Sequence, residues 1–202
     1  MAMWCTIRTY EQHARELGNA PAAEPVFFVK PSGCLHHGGE LPVSTHPGEV
    51  HHEIECVILL NESMQPSAIA VGLDLTDRAA QAQMRAQQWP WAKGKCFRSS
   101  AVLGQWCPWR EGWDALISPE HGLHLKLQVN DEVRQSAALS EIAIPPSVQI
   151  ASLLRWAPVT AGDVLFTGTP AGVGQLFAGD ALCAQLTNHQ GEVLSEIQLR
   201  CN

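Results

Sequence analysis

The sequence predicts one α+β domain in which short strands outnumber helices. The 202 residues are 46% hydrophobic and only 16% charged, a composition typical of a globular chain that buries a large core. Several segments are short apolar runs or alternate apolar with polar residues, as strands do, whereas three segments favour a helix. Because no repeat or composition break marks a boundary, we expect a single domain over residues 1–202.

Strands are predicted where apolar residues run continuously or alternate with polar ones. The continuous runs lie at residues 26–29, 53–60, 71–75 and 164–166, and the first of them is expected to be buried. Apolar residues alternate with polar ones over 123–129, and Asn130 with Asp131 supplies a turn before the next strand. Residues 31–48, rich in proline and glycine and without periodicity, are expected to form a long loop.

Three segments have the residue preferences of helices. They lie at residues 11–16, 77–88 and 148–156. Pro21 and Pro25 are expected to end the first helix, because proline has no backbone N–H to donate. Thr76 is the candidate N-cap of the second helix, with Asp77 in its first turn. The Pro-Pro-Ser segment at 145–147 opens the third.

Charge and cysteine usage exclude several classes of protein. Lys and Arg number 13 against 20 Asp and Glu, a formal net charge of −7 that leaves no basic footprint for nucleic acid or for anionic lipid. No apolar run approaches the ~20 residues of a membrane span. Seven scattered cysteines without CxxC spacing indicate a reducing compartment. Since the N-terminus also lacks the apolar region of a secretory signal, we expect a cytoplasmic location.

Three carboxylates suggest a cation site. In a strand, the period of two places Glu53 and Glu55 of the HHEIE segment on one face, where their charges repel. A third acid, Asp74, interrupts an otherwise apolar strand, where an unpaired carboxylate is costly. A divalent cation with oxygen ligands, Mg²⁺ or Mn²⁺, would relieve the repulsion. The solvated face of an edge strand is the alternative, and the spacing alone leaves both open.

Five motifs together resemble one family. The segments HHEIE, GLDLTDRAAQ, PWAKGKCF, VNDEVRQ and GDVLFTGTPAGVG, in this order and spacing, are similar to the fumarylacetoacetate hydrolase family. In particular, they resemble its short members, which act on acylpyruvates and oxaloacetate. The resemblance implies a mixed β-sheet and β-roll fold with few helices, of the type of the family's C-terminal domain. It also implies a homodimer and one Mg²⁺ or Mn²⁺ in each active site.

The resemblance assigns roles to residues in the body of the chain. The three metal-binding carboxylates of the family correspond to Glu53, Glu55 and Asp74. Lys95 matches a lysine that points into the site, and Thr169 lies in the TGTP turn where the family binds the substrate carboxylate. Arg78 and Gln81 are the further implied substrate contacts.

The N-terminal segment 1–20 resembles the family's lid, whose pattern is R-N-Y-x-x-H-x-x-E. The matching residues are Arg8, Tyr10, His13 and Glu16, of which the first two are implied to bind substrate. His13 and Glu16 correspond to a dyad that activates water, and their spacing of three places them on one face of a helix.

Several positions depart from the family pattern. Thr9 replaces the lid asparagine, and Cys96 follows the site lysine where Ser or Gly is usual. The segment Thr76-Asp77-Arg78-Ala79 stands where T-A-R-D is usual, so Asp77 replaces the alanine and Ala79 replaces the second acid. Despite these departures we expect the chain to bind a cation, but the identity of the substrate stays open.

The resemblance implies a Mg²⁺-dependent hydrolase that cleaves a carbon–carbon bond of acylpyruvates, 2,4-dioxo acids such as fumarylpyruvate, and releases pyruvate. Decarboxylation or keto–enol isomerisation of oxaloacetate, or of related 2-oxo and 2-hydroxy-diene dioic acids, is the alternative among enzymes. A catalytically silent binding protein is the alternative outside them. In either enzymatic case the partner is a small anionic 2-oxo acid, and the cation supplies the positive charge that an acidic chain lacks.

Overall fold

The computed structural model describes residues 1–16, 18 and 24–202, which form fourteen strands and four short α-helices. The strands are β1 (Ala2–Ile7), β2 (Val26–Pro31), β3 (Val50–His52), β4 (Ile54–Leu60), β5 (Pro66–Asp74), β6 (Thr76–Asp77), β7 (Ala101–Leu103), β8 (Cys107–Pro108), β9 (His124–Val129), β10 (Glu132–Ala138), β11 (Val164–Phe166), β12 (Gly174–Gln175), β13 (Ala181–Thr187) and β14 (Val193–Arg200). The helices are α1 (Glu11–Glu16), α2 (Arg78–Ala86), α3 (Ala92–Lys95) and α4 (Pro146–Leu153). Short 3₁₀ turns lie at Ser32–Cys34, Asp114–Ile117 and Leu139–Glu141.

The strands form one large mixed sheet and two smaller sheets. The large sheet has seven strands in the order β2-β1-β11-β4-β5-β7, with β8 also paired to β5. In this sheet β1 and β11 are parallel and the other pairs are antiparallel. A four-stranded sheet, β10-β9-β13-β14, and a three-stranded sheet, β12-β3-β6, lie beside it. The predicted β-rich α+β class with few helices is confirmed.

The central strands carry the core. Nearly every residue of β4 and β5 is buried, which explains why their sequences are continuous apolar runs rather than alternating ones. In β9 the burial alternates, as the sequence over 123–129 predicts. The turn after β9 is also as expected, because Asn130 and Asp131 have φ of 52° and 65°, a left-handed conformation that these residue types tolerate.

The strand at residues 26–29 is not buried, contrary to the prediction. It belongs to β2, which lies at the edge of the large sheet and pairs with β1 alone. Val26 and Val29 are 45% and 38% exposed, and the fully buried side chain of this strand is Lys30. An apolar run cannot by itself reveal its place in a sheet, and here the edge position overrides it.

The helix boundaries are partly corrected. The N-cap of α2 is Asp77, not Thr76, because the Asp77 carboxylate accepts a hydrogen bond from Ala80 N at 2.9 Å. The helix ends at Ala86, and the third predicted helix is Pro146–Leu153 rather than 148–156. The proline at position 21, expected to end α1, lies outside the described residues.

Of the segment 1–20, predicted to be a lid, the structure describes residues 1–16 and 18. Its first part is β1, which lies inside the large sheet between β2 and β11 and is therefore fixed. Arg8 follows β1, and α1 begins at Glu11. Among the described residues, none of the helices has the length and apolar character needed to cross a membrane.

Candidate metal centre and active site

Three buried carboxylates meet near one end of the central strands. Glu53 lies between β3 and β4, Glu55 lies in β4, and Asp74 ends β5. The pairing of β4 with β5 places Asp74 beside Glu53, whose carbonyl accepts a hydrogen bond from Asp74 N at 2.9 Å. All three side chains are buried, and their ligand oxygens lie within 4.8 Å of one another. The structure therefore brings the three predicted metal ligands together.

Lys95 and Arg78 pair with these carboxylates. Lys95 Nζ lies 2.8 Å from a Glu53 oxygen and 2.6 Å from an Asp74 oxygen. Its third hydrogen is donated to Thr76 Oγ1 at 2.6 Å. Arg78 Nη2 donates to the other oxygen of Glu53 at 2.6 Å. Lys95 is thus placed to hold the predicted ligands and to balance their charge.

Lys30 is a third cation, which the sequence reasoning missed. Its Nζ lies 2.7 Å from Asp74 Oδ1 and donates to the backbone carbonyls of Leu75 and Ser100. The side chain is fully buried. The sequence carried a signal for it, a lysine within the apolar run VFFVKP, because a lysine in such a run needs a buried acid as a partner.

Burial and neighbouring charges shift the pKa values of the site. Burial raises the pKa of Glu53, but Lys95 and Arg78 outweigh burial and hold that pKa well below its usual range. Burial, together with Asp74 and Glu53, raises the pKa of Glu55 well above its usual range. Burial lowers the pKa of Lys95, but Asp74 and Glu53 more than reverse this and raise it. A cation beside Glu55 would favour its ionised form.

The donor set fits a hard divalent cation. Its members are carboxylates, and oxygen ligands suit Mg²⁺ or Mn²⁺, whereas zinc sites in proteins commonly use His and Cys as well. Glu53 and Asp74 pair with cationic side chains, but Glu55 Oε2 is held by the Gly168 N–H at 2.6 Å. The residues that could hold the ion are therefore Glu53, Glu55 and Asp74.

The TGTP turn after β11 supports Glu55. Gly168 has a φ of +95°, a conformation that glycine adopts without strain, and this directs its N–H at the Glu55 carboxylate. The neighbouring Thr167 carbonyl accepts a hydrogen bond from Thr9 Oγ1 at 2.8 Å. Any Cβ at Gly168 would collide with the Thr9 hydroxyl. The turn is thus fixed both to the carboxylate cluster and to the start of the lid.

One pocket gathers nine of the eleven predicted site residues. They are Arg8, His13, Glu53, Glu55, Asp74, Arg78, Gln81, Lys95 and Thr169. Arg8 has a φ of 59°, a left-handed conformation where the chain turns from β1 towards α1. Gln81 is buried and accepts a hydrogen bond from Arg78 Nη1 at 2.7 Å. Arg85 and Trp91 also line the pocket, and sequence reasoning did not assign them.

His13 and Glu16 form the predicted contact. Nδ1 of His13 lies 3.1 Å from Glu16 Oε2, and the Glu16 carboxylate also accepts from Gly172 N at 3.1 Å. His13 is buried, whereas the Glu16 side chain is 34% exposed and does not line the pocket. Because a carboxylate can only accept, Nδ1 carries the proton and Nε2 is the nitrogen left for proton transfer.

The structure does not bring Tyr10 to this pocket. Its side chain is 3% exposed and packs in the apolar core, and it lines a different cleft beneath α1. Burial raises the pKa of the Tyr10 hydroxyl well above its usual range. Tyr10 thus lies apart from the other predicted substrate-binding residues, and its contact with substrate stays a prediction.

The departures from the family pattern have local structural roles. Besides capping α2, Asp77 pairs with His46 Nε2 at 2.8 Å and so ties the long loop to the helix. Thr9 holds the TGTP turn through its hydroxyl. Cys96 Sγ lies 3.2 Å from the Val29 carbonyl, and Cys96 does not line the pocket.

This mixed sheet with few helices carries three buried carboxylates and His13 at one pocket. The chain matches the family described as fumarylacetoacetate (FAA) hydrolase C-terminal over residues 2–198. It belongs to that family, as the resemblance of its motifs indicated.

Several named proteins are similar along nearly the whole chain. Oxaloacetate tautomerase YcgM of Escherichia coli (strain K12) is 34% identical over 92% of this chain and 88% of its own length. The mitochondrial oxaloacetate tautomerase FAHD1 of Arabidopsis thaliana is 32% identical over 96% of this chain and 87% of its own. The structure of fumarylpyruvate hydrolase from Pseudomonas aeruginosa in complex with Mn²⁺ and pyruvate superposes with a TM-score of 0.83, at 30% identity, over 100% of this chain and 90% of that one.

Proposed function

We propose that this protein is a Mg²⁺- or Mn²⁺-dependent enzyme that interconverts the keto and enol forms of oxaloacetate. The observation that carries the proposal is that His13, oriented by Glu16, lines the same pocket as the three carboxylates. Two relatives at 34% and 32% identity are oxaloacetate tautomerases, which favours this reaction over the others that the family catalyses.

Charge balance supports a doubly charged substrate. The three carboxylates are matched by Lys30, Lys95 and Arg78. A bound divalent cation would therefore leave an excess of two positive charges, which suits a dicarboxylate. Arg8 and Arg85 also line the pocket and add positive potential. The acidic chain can thus bind an acidic substrate at this one place.

The pocket supplies the groups that tautomerisation needs. When bound, the cation acts as a Lewis acid towards the 2-oxo oxygen and makes the neighbouring carbon more acidic. Thr169 would bind the carboxylate of the substrate, which fixes the plane of the 2-oxo acid. In forming the enol, His13 Nε2 would take a proton from that carbon and the 2-oxo oxygen would gain a proton from water. In the reverse direction the enol O–H would give its proton to water and His13 would return a proton to the carbon, while Glu16 would stabilise the imidazolium.

The test of this proposal is the rate at which the enol and keto forms of oxaloacetate equilibrate. The enol is followed by its ultraviolet absorbance, with pyruvate measured in parallel by lactate dehydrogenase. We expect Mn²⁺-loaded protein to accelerate equilibration without releasing pyruvate, and Glu55→Gln to abolish the acceleration. The matched control is Glu62→Gln, a change at an exposed surface carboxylate. Equal rates with and without protein would contradict the proposal, and pyruvate release would indicate decarboxylation.

Hydrolysis of acylpyruvates is the second candidate. It is favoured by the His13–Glu16 contact, because hydrolysis needs a base that draws a proton from water, and by the 30% identity to fumarylpyruvate hydrolase. Fumarylpyruvate is the test substrate. Pyruvate and fumarate formed in equal amounts would establish hydrolysis, and an unchanged substrate would remove this candidate.

We also propose that the protein is a homodimer located in the cytoplasm. Support for a dimer comes from the edge of the large sheet, where Val26 and Val29 are exposed beside Trp89, which is 56% exposed. Analytical ultracentrifugation should give twice the chain mass of 22.0 kDa, and Val29→Lys should shift the protein towards the monomer. A wild-type monomer at micromolar concentration would contradict the dimer.

A further inference from the structure

Gln135 lies outside the set of predicted site residues, yet it connects two parts of the site. It belongs to β10 and is 1% exposed. Its side-chain oxygen accepts from Ile54 N and from His52 Nδ1, both at 3.0 Å. Its side-chain nitrogen donates to Thr169 Oγ1 and to the Pro170 carbonyl, both at 2.8 Å. Every hydrogen-bonding position of this buried amide is therefore used.

A break in the β9–β10 pairing turns Gln135 inwards. The register shifts between Val133 and Gln135, so Arg134 is an extra residue on this strand. As a result the apolar Val133 is 56% exposed, whereas the polar Gln135 faces the interior. Burying an amide costs stability unless the amide is fully bonded, and bulges of this kind often re-aim a side chain beside an active site.

Two hydrogen-bond partners set the orientation of the Gln135 amide, because one of them can only donate and the other can only accept. The backbone N–H of Ile54 can only donate, so it must face the amide oxygen of Gln135. The Pro170 carbonyl can only accept, so it must face the amide nitrogen. Thr169 Oγ1 lies on the nitrogen side and therefore accepts from Gln135.

This polarity determines what the Thr169 hydroxyl can do. A hydroxyl has one hydrogen, and since its oxygen already accepts from Gln135, that hydrogen has to point elsewhere. Thr169 lines the pocket of the three carboxylates and is nearly buried at 5% exposure. The hydrogen is thus available to an anion in the pocket, and a donated bond to a charged acceptor is among the stronger kinds.

We propose that Gln135 is a positioning residue that makes the Thr169 hydroxyl a donor to the carboxylate of the bound 2-oxo acid, an inference that rests on the proposed function. Gln135 also joins the strand that carries the metal ligands to the turn that carries Thr169, since Ile54 lies between Glu53 and Glu55. A single amide thus fixes the substrate carboxylate relative to the cation ligands.

The test is a double-mutant cycle read out by binding rather than by turnover. The dissociation constant of pyruvate is measured by calorimetry on Mn²⁺-saturated wild-type protein, Gln135→Met, Thr169→Val and the double variant. We expect each single change to raise the constant about tenfold, the effect of losing one hydrogen bond to a charged group. Because Gln135 acts through Thr169, the double variant should be no weaker than Thr169→Val alone.

Two further variants separate this role from a purely structural one. Gln149→Met is the matched control, because Gln149 is also a fully buried amide, and it donates to the Thr167 carbonyl of the same turn without reaching Thr169. It should lower the thermal unfolding temperature and leave the pyruvate constant within about twofold. Thr169→Ser keeps the hydroxyl, so it should keep pyruvate affinity and stay sensitive to Gln135→Met.

Three results would overturn the inference. They are an unchanged pyruvate dissociation constant in Gln135→Met, additive losses of affinity in the double variant, and an equal loss of affinity in Gln149→Met.

If Gln135→Met does not fold, Gln135→Glu replaces it. This near-isosteric variant still accepts from Ile54 N but cannot donate to Thr169, and it should lose pyruvate affinity to the same extent; retained affinity would overturn the inference. Wild-type protein that binds Mn²⁺ but not pyruvate would remove the proposed function itself, and with it this role for Gln135.

Discussion

The two halves of the pocket are built differently. The carboxylate half lies on and beside β4, β5 and α3, and its members Glu53, Glu55, Asp74 and Lys95 are all buried. Lys95 forms ion pairs with Glu53 and Asp74, and Glu55 is held by the Gly168 N–H. The lid half is α1, a six-residue helix whose residues are largely exposed and whose catalytic candidate, His13, is held by the half-exposed Glu16. From this contrast we expect the proposed cation binding and proton transfer to be separable, the first depending on the sheet and the second on the lid.

We expect a substitution in the carboxylate half to have the largest effect on Mn²⁺ binding and on the free energy of unfolding. Asp74→Asn removes a proposed ligand and leaves Lys30 and Lys95 buried without the one acid that they share. We expect loss of Mn²⁺ binding in calorimetry and a decrease of about 3–5 kcal/mol in the free energy of unfolding. If the variant binds Mn²⁺ as the wild type does, the ligand assignment is wrong.

His13→Ala should affect the lid half alone. Removing the base should lower the rate of oxaloacetate tautomerisation by about 10²–10⁴-fold, the usual range for a general base. Mn²⁺ affinity should stay within about twofold, because His13 is not among the cation ligands. The control is His37→Ala, since His37 lies in the loop 31–48 and does not line the pocket. A comparable loss of Mn²⁺ binding in His13→Ala would show that the two halves are not separable.

Lys30→Met tests the buried lysine that pairs with Asp74 in the carboxylate half of the pocket. Without Lys30, Asp74 keeps Lys95 as a partner but loses one positive neighbour. We expect the metal-free protein to be destabilised by about 3 kcal/mol. Since a negative site attracts a cation more strongly, Mn²⁺ should raise the thermal unfolding temperature of the variant more than that of the wild type. An equal or smaller increase would argue against a charge role for Lys30.

Of these four substitutions, we expect Glu16→Gln to have the smallest effect on the catalytic rate and on stability. The amide preserves a contact with His13 Nδ1 but cannot stabilise an imidazolium as a carboxylate does. We expect the catalytic rate to fall about tenfold. The unfolding free energy should change by less than about 0.5 kcal/mol, as is usual for surface substitutions. A rate equal to that of wild type would remove Glu16 from the dyad.

The sequence was sufficient for features that depend on local pattern. The spacing of two predicted Glu53 and Glu55 on one face, and the continuous apolar runs marked β4 and β5 as core strands. The spacing of His13 and Glu16 likewise gave their contact on α1. These features depend on neighbours a few residues apart, which a sequence displays directly.

Features that depend on distant partners were missed. Lys30 gains its role from Asp74, 44 positions away, and Gln135 from Thr169, 34 positions away. The edge position of β2 depends on the order of strands in the sheet, which a single apolar run does not encode. The position of the α2 N-cap, which is Asp77 rather than Thr76, likewise depends on the fold.

The most direct test of the central claim is a calorimetric titration of Mn²⁺ into wild-type protein, Glu55→Gln and His13→Ala. We expect one bound ion per chain in the wild type, none in Glu55→Gln, and one in His13→Ala with nearly unchanged affinity. A wild type that binds no Mn²⁺, or a Glu55→Gln variant that binds it as well as the wild type, would contradict the assignment of the carboxylate cluster as a metal centre.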